Sequence, residues 1–425
     1  MTTSYEGALD ELVRIALKHV PDLGEQDAVL RDLYGRLSLF LAGSASRVND
    51  RVALEAALSK LAPHVRADRM VVTSDEAGAD VVLAETQVQW LRLPGRDDHY
   101  RLVDRRVVGV DWLRTPAVEQ TEPRRIVFAS VKGGVGRSTA LCVAARELAD
   151  EGQRVLVVDL DLEAPGAGRM LAPELPSFGV IDALAAAALD QTIAPAELIT
   201  ELHDGNAWID VVPAHGRSSV EAPEHYLGKL ARAMSEVALP EPKPVAQRVA
   251  ELVDRLCQRR PYDVVLIDAR AGLAEITAGP VLALGATVLL FSTAQQQSFD
   301  DYRFLFAHLR SLGLWHAGRT WNNLVPVLAK AGTDAQQLEA AQRSMFELYE
   351  EYLYEQAPAG QLDAFNFDET DPDGAHRFVP IAFDTRFASF DPQRHESHLT
   401  RPFYEQAFTP FLARIRSLVR PGARA

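Results

Sequence analysis

Apolar residues recur along this chain in more than one rhythm, and the rhythm changes twice before residue 130. From residue 3 to about residue 62, ALDELVRIALKHV and DAVLRDLYGRLSLFLA space apolar side chains three and four apart, which predicts helices punctuated by Pro21 and Gly43. From about Met70 to Leu113 the runs are short and β-like: MVVT, DVVLAE, VQWLRL, YRLVD and RVVGVDWL, with LPGRDDHY as a turn. Thr115–Arg125, TPAVEQTEPRR, is polar, carries prolines and reads as a linker. The division expected is a helical segment 1–62, a small α+β domain 63–114, a linker 115–124 and a larger domain 125–425.

Beyond the linker, strand-like and helix-like runs alternate. IVFAS, RVLVVDLD, AWIDVVPA, YDVVLIDA, ATVLLFST and NLVPVLA are near-continuous apolar runs, as central parallel strands buried on both faces must be. VAQRVAELVDRLCQRR and FDDYRFLFAHLRSL are among the helical runs between them. This predicts a doubly wound α/β domain with a mostly parallel sheet, whose ligands sit at the C-terminal ends of strands. Asp334–Gln356 reads as one long helix, Leu362–Arg377 as an acidic loop, and FYEQAFTPFLARIRSLVR as a helix in spite of Pro410.

Composition narrows the classes. With 425 residues, 47% hydrophobic and 24% charged, the chain is an ordinary globular protein with ample core. A formal charge of -15 argues against charge-driven adhesion to nucleic acid or anionic membrane. Two cysteines, Cys142 and Cys257, build no disulfide framework, and the expectation is a reducing cytoplasm. The first residues, MTTSYEGALDELV, are not a signal peptide, and no apolar run approaches the ~20 residues of a membrane span.

The chemistry concentrates in SVKGGVGRST, Ser130–Thr139, between the run IVFA and the helix-like TALCVAARELAD. Strand, glycine-rich turn and helix start form the layout that wraps phosphate oxygens in backbone N–H groups. Gly133, Gly134 and Gly136 allow close backbone approach, Val135 sits among them, Ser138 offers a hydroxyl to Mg²⁺, and Thr139 offers one to a second phosphate. Lysine usually stands at position 137; here it is arginine, whose planar fork is wider than an ammonium, so nucleotide binding with slow turnover is expected. Asp268 ends an apolar strand, where a Mg²⁺-bound water would satisfy it. Asp159 and Asp161 follow another strand, where they fit a metal's outer shell and the orientation of an attacking water, or are ordinary strand-end acids.

The early Lys132 with KGGVGR resembles the deviant Walker A loop of the ParA/MinD family of P-loop ATPases, in an arginine-bearing version. DLDLEAPG, with Asp159, Asp161 and Pro165, looks like that family's switch segment, and YDVVLIDARAG like its Walker B strand. The resemblance covers roughly residues 124–420 and implies ATP and Mg²⁺ as ligands. It also implies a homodimer in which Lys132 reaches the partner's phosphates. Catalytic roles then fall on Asp161, Lys132 and Arg137, metal binding on Ser138, Asp159 and Asp268, and nucleotide contact on Lys132–Thr139 and on Pro380, in a segment resembling the loop that covers the base. Where relatives often place an asparagine after a late strand, this chain has Ala329 and Lys330.

The expected function is an ATP-binding, Mg²⁺-dependent dimerising switch that reports its state to a protein partner through the N-terminal region. Alternatives are a non-hydrolysing nucleotide-binding scaffold in a bacterial regulatory or conflict system, a tyrosine kinase acting on Tyr349, Tyr352 and Tyr354, and a DNA-partitioning ATPase.

Overall fold

The computed structural model describes residues 4–235, 243–314, 319, 321–354 and 367–420. The last residues of the long-helix reading (355–356), residues 362–366 of the acidic loop and the final residues 421–425 lie outside that set. The chain divides into two compact units, one of residues 1–115 with 308–319 and one of residues 116–307 with 320–425.

In the first unit, α1 (Tyr5–His19) starts at Ser4, whose hydroxyl accepts from the Gly7 N–H, and it buries Leu9, Leu12, Val13 and Ala16 along one face. β1 (Ala28–Arg31), β2 (Leu37–Leu41), α2 (Arg51–Leu58), β3 (Val71–Thr73), α3 (Ala79–Leu83), β4 (Gln89–Arg92) and β5 (His99–Asp104) follow. The strands form a five-stranded sheet in the order β3-β2-β1-β5-β4. The helical region expected here is present in α1 and α2, but DAVLRDLYGRLSLFLA is a β-hairpin rather than a helix. Its turn is specified locally: the Asp32 carboxylate accepts from the N–H of Tyr34 and of Arg36, each at 2.9 Å, and Gly35 takes φ 82°. All five residues of β2 are buried, because apolar clusters cover both faces of the sheet. A strand buried on both faces loses its alternation, and the remaining apolar spacing imitates a helix.

The second unit begins with residues 116–120 laid against the segment 282–285 through Ala117 N–H to Leu282 O and Gln120 N–H to Gly285 O, each 2.7 Å. Then come β6 (Arg124–Ser130), α4 (Arg137–Asp150), β7 (Arg154–Asp159), α5 (Ala167–Leu171), α6 (Val180–Ala187), β8 (Thr200–Asp204), β9 (Ala207–Val212), α7 (Arg217–Glu221), α8 (Tyr226–Met234) and α9 (Val245–Arg259). They are followed by β10 (Val264–Asp268), α10 (Glu275–Ala278), β11 (Thr287–Ser292), α11 (Gln296–Ser311), β12 (Leu324–Ala331), α12 (Ala335–Tyr352), β13 (Val379–Ala382) and α13 (Arg401–Val419). The eight-stranded sheet runs β13-β12-β11-β6-β10-β7-β9-β8, parallel throughout except for β8 against β9. This is the mostly parallel α/β architecture expected.

β6, β10, β7 and β11 are apolar and buried almost end to end, as interior parallel strands are. α13 packs beneath them in spite of Pro410, burying Tyr404, Phe408, Phe411 and Ile415. The Phe411 ring meets Phe128 of β6 and Phe291 of β11 at centroid distances of 6.2 and 6.0 Å. Tyr404 donates to Glu147 of α4 at 2.7 Å, and Arg416 pairs with Glu147 and Glu151. Among the described residues no helix is long and apolar enough to cross a membrane.

Candidate nucleotide-binding site

The parallel register aligns the chemistry. Asp268 of β10 stands opposite Asp159 of β7 on one side and Phe128 of β6 on the other. The carboxylates therefore emerge together at the C-terminal edge of the sheet, beside the turn that leaves β6. That turn runs into α4, with Gly134 at φ 73° and Gly136, the residue before the helix, at φ 90°. Side-chain-bearing residues rarely take such angles, and here they aim the first N–H groups of α4 into a cavity of about 810 Å³. The cavity is lined by the loop Gly133–Thr139, by Asp161, Glu163 and Arg270, and at its other end by Ala329, Lys330, Ile381 and Phe383.

Arg137 does not extend into that cavity as a free cation. Its Nε donates to Asp268 Oδ1 at 2.6 Å, its Nη2 to Asp161 Oδ2 at 2.8 Å and its Nη1 to Ser130 Oγ at 3.1 Å. Arg137 is 7% exposed, Asp161 6% and Asp268 0%, so the guanidinium neutralises two carboxylates in the interior. Burial pulls its pKa down, but the charge of Asp268 and then of Asp161 outweighs burial and holds it above the ordinary value. Burial likewise drives the Asp268 carboxyl upward, against Arg137 and the Ser138 hydroxyl, which favour its ionised form.

The remaining predicted residues have distinct places. Ser138 Oγ donates to Asp268 Oδ2 at 2.6 Å. These two oxygen groups suit a magnesium ion, since both are hard donors at the start of the helix. Asp159 does not suit it as a direct ligand: one oxygen accepts the Asp161 N–H, the other accepts those of Gly166 and Gly168, and the side chain is fully buried. Burial and the neighbouring Asp268 raise its pKa. Its present work is to fold the segment after β7 back over α4, close enough that a Cβ on Gly166 would stand 2.8 Å from Ser138 Oγ. Lys132 Nζ lies 3.7 Å from Asp301. Pro380 lies in β13, in register with Leu328, and it is the following residues, Ile381 to Phe383, that line the cavity.

Four residues to which the sequence assigns no role take part. Ser130 receives Arg137 and donates to the Lys132 carbonyl at 2.8 Å, tying the loop's entry to the buried arginine. Glu163 and Arg270 form an ion pair at the rim. Lys330, in a left-handed conformation with φ 54°, donates from Nζ to the Gly134 carbonyl at 2.7 Å. A serine at the end of β6 and a lysine at the end of β12 carry no local signal of these contacts, which exist only once the strands are side by side. Of the clustered tyrosines, Tyr349 is buried and donates to the Leu324 carbonyl, and Tyr354 bonds His376.

The parallel sheet, the glycine turn and the strand-end carboxylates have the layout of a P-loop fold. Residues 123–307 match the family model described as AAA domain. Similar solved structures include a variant of Cyanothece McdA in complex with ATP, 14% identical over 70% of this chain and 96% of that one, TM-score 0.47. A plasmid partition protein of Borrelia burgdorferi is 18% identical over 69% of this chain and 99% of that one, TM-score 0.41. The septum site-determining protein MinD of Pyrococcus horikoshii OT3, complexed with Mg-ADP, is 18% identical over 71% of this chain and 99% of that one, TM-score 0.45. No curated protein matches the chain in sequence.

Proposed function

We propose that this chain is a nucleotide-dependent switch that binds ATP with Mg²⁺, dimerises around it, hydrolyses it slowly and reports the bound state to a protein partner through its N-terminal unit. The observation that carries the reading is the convergence of the glycine turn, the start of α4 and Asp161 on one cavity of about 810 Å³, of the size that takes a nucleotide, with Asp268 hydrogen-bonded to Arg137 and Ser138 of its lining. Backbone N–H groups of Gly133–Thr139 would hold phosphate oxygens, with the helix start adding a favourable dipole. Ser138 would hold magnesium and Asp268 would orient its water; the ion supplies charge neutralisation of the triphosphate. Asp161 would position the attacking water.

Slow turnover follows from Arg137. While its guanidinium holds Asp161 Oδ2, that carboxylate is half-engaged and the cation is withdrawn from the phosphates. Hydrolysis then requires Arg137 to leave two buried carboxylates, a rearrangement that a lysine on a phosphate would not need. The same pairing favours a second reading, a scaffold that binds nucleotide without hydrolysing it. Single-turnover hydrolysis separates the two: a rate lost in Asp161→Ala supports the switch, and equal rates with intact binding support the scaffold. The central test is nucleotide affinity measured together with molecular mass, with and without ATP and Mg²⁺. Binding with doubling of mass is expected; no affinity for any nucleoside triphosphate would overturn the proposal.

A further inference from the structure

Among the described residues that line the cavity, three carry a cation: Arg137, Lys330 and Arg270. Two of them are committed to the protein itself. Arg137 donates to Asp268, Asp161 and Ser130, and Lys330 donates from Nζ to the Gly134 carbonyl at 2.7 Å. Backbone N–H groups bring a triphosphate only partial positive charge. A full charge from a side chain of the same cavity therefore falls to Arg270.

Arg270 stands at the end of the cavity where α4 begins. It lies two residues beyond Asp268, whose carboxylate accepts from Ser138 at 2.6 Å. Its backbone is fixed beside the glycine turn: the Ala269 N–H donates to the Phe128 carbonyl at 3.0 Å, and the Gly272 N–H to the carbonyl of Ser130, the last residue of β6, at 2.8 Å. Its Nη1 donates to the carboxylate of Glu163. Glu163 comes from the other side, on the segment whose Ala164 N–H donates to Asp161 at 3.2 Å and whose Gly166 abuts Ser138. The ion pair thus joins two segments that are each tied to the phosphate loop, one through Ser130 and the other through Asp161 and Arg137.

The two arginines differ in how firmly they are held. The side chains of Arg270 and Glu163 are 30% and 43% exposed, against 8% and 0% for Arg137 and Asp268. An exposed ion pair adds little and is readily exchanged, whereas a buried one is costly to break. The guanidinium fork also fits a phosphate as well as it fits a carboxylate.

We infer that Arg270 is the side-chain cation that meets the triphosphate within this chain, exchanging the Glu163 carboxylate for a phosphate oxygen, so that binding does not require Arg137 to leave the interior. This assignment rests on the nucleotide reading and deepens it by naming the cation. Glu163 then competes with the phosphates for one guanidinium, and the two residues have opposite effects on affinity. A clasp that merely braced the rim would instead be broken by either substitution, with effects of the same sign.

Calorimetric titration of the full chain with ATP and with inorganic tripolyphosphate, both with Mg²⁺, tests this. Arg270→Gln should weaken both ligands by about tenfold or more, the scale of one charge-assisted hydrogen bond. Glu163→Gln should tighten both by about threefold, the scale of an exposed ion pair released. Arg270→Lys keeps the charge and should fall between wild type and Arg270→Gln. A change under about twofold in Arg270→Gln, or a weakening in Glu163→Gln alongside that in Arg270→Gln, would overturn the assignment. Failure of wild type to bind either ligand would instead overturn the underlying nucleotide reading.

Discussion

Replacing Arg137 by alanine should damage the fold far more than replacing a loop cation normally does. The substitution removes donors to Asp268, Asp161 and Ser130 and leaves two carboxylates facing each other at 0% and 6% exposure. Removing one member of a buried ion pair costs about 3–5 kcal/mol, because the partner's charge stays in a poorly solvated place. The pH dependence has a definite sign. Burial already raises the Asp268 carboxyl, and without the arginine it rises further. A carboxyl raised in the fold opposes folding while it is ionised, and that opposition fades as pH falls through its folded value, so the variant's deficit should be larger near about pH 8 than near about pH 5.5. The assay is urea unfolding of wild type and variant at both pH values, with Lys132→Ala alongside. Lys132, whose carboxylate contact is 3.7 Å long and part-exposed, should cost no more than about 0.5 kcal/mol. An Arg137→Ala deficit under about 1 kcal/mol at both pH values would refute the claim that the arginine serves the interior.

Other predictions concern separate parts of the molecule. Ser138→Ala should narrow the difference between nucleotide affinity with Mg²⁺ and with chelator, measured by titration, because the hydroxyl nearest Asp268 is gone. Gly179→Ala should destabilise the chain by about 2 kcal/mol or more in thermal melts, since the new Cβ would stand 2.4 Å from the His215 backbone, which cannot give way cheaply. Burial holds His308 below its ordinary 6.5, its Nε2 meeting the Trp112 carbonyl at 2.7 Å. Its neutral form is favoured in the fold, so its contribution is complete above that ordinary value and is lost as pH falls toward the folded one; melting temperatures should drop less steeply below about pH 6.5 in His308→Gln.

The parts of the fold legible in sequence were those whose residues report on themselves. β6, β7 and β10 are apolar between their polar ends because they are buried on both faces, and the glycine turn sits where the strand and helix runs meet. The hairpin at residues 28–41 misled because β2, buried on both sides, has no polar alternation. What decides the site was not local. Position 137 announces a cation, but whether that cation points to a phosphate or to Asp161 and Asp268 depends on strands contributed 24 and 131 residues later. Asp159 reads as a metal-side carboxylate until the backbone N–H groups that saturate it are in place. Lys330 carries no local sign of its bond to the Gly134 carbonyl, which exists only because β12 lies alongside β11 and β11 alongside β6.

The helix α13 bears on how this protein can be handled. Its Phe411 fills the underside of β6 and β11, and Tyr404 and Arg416 bolt it to the flank of the helix that opens at the glycine turn. Anyone trimming the C-terminus to obtain a smaller fragment would be removing the floor on which the loop-bearing strand rests, so a fragment cut before residue 401 is expected to come out of cells as aggregate, while a tag appended after residue 420 leaves that floor intact.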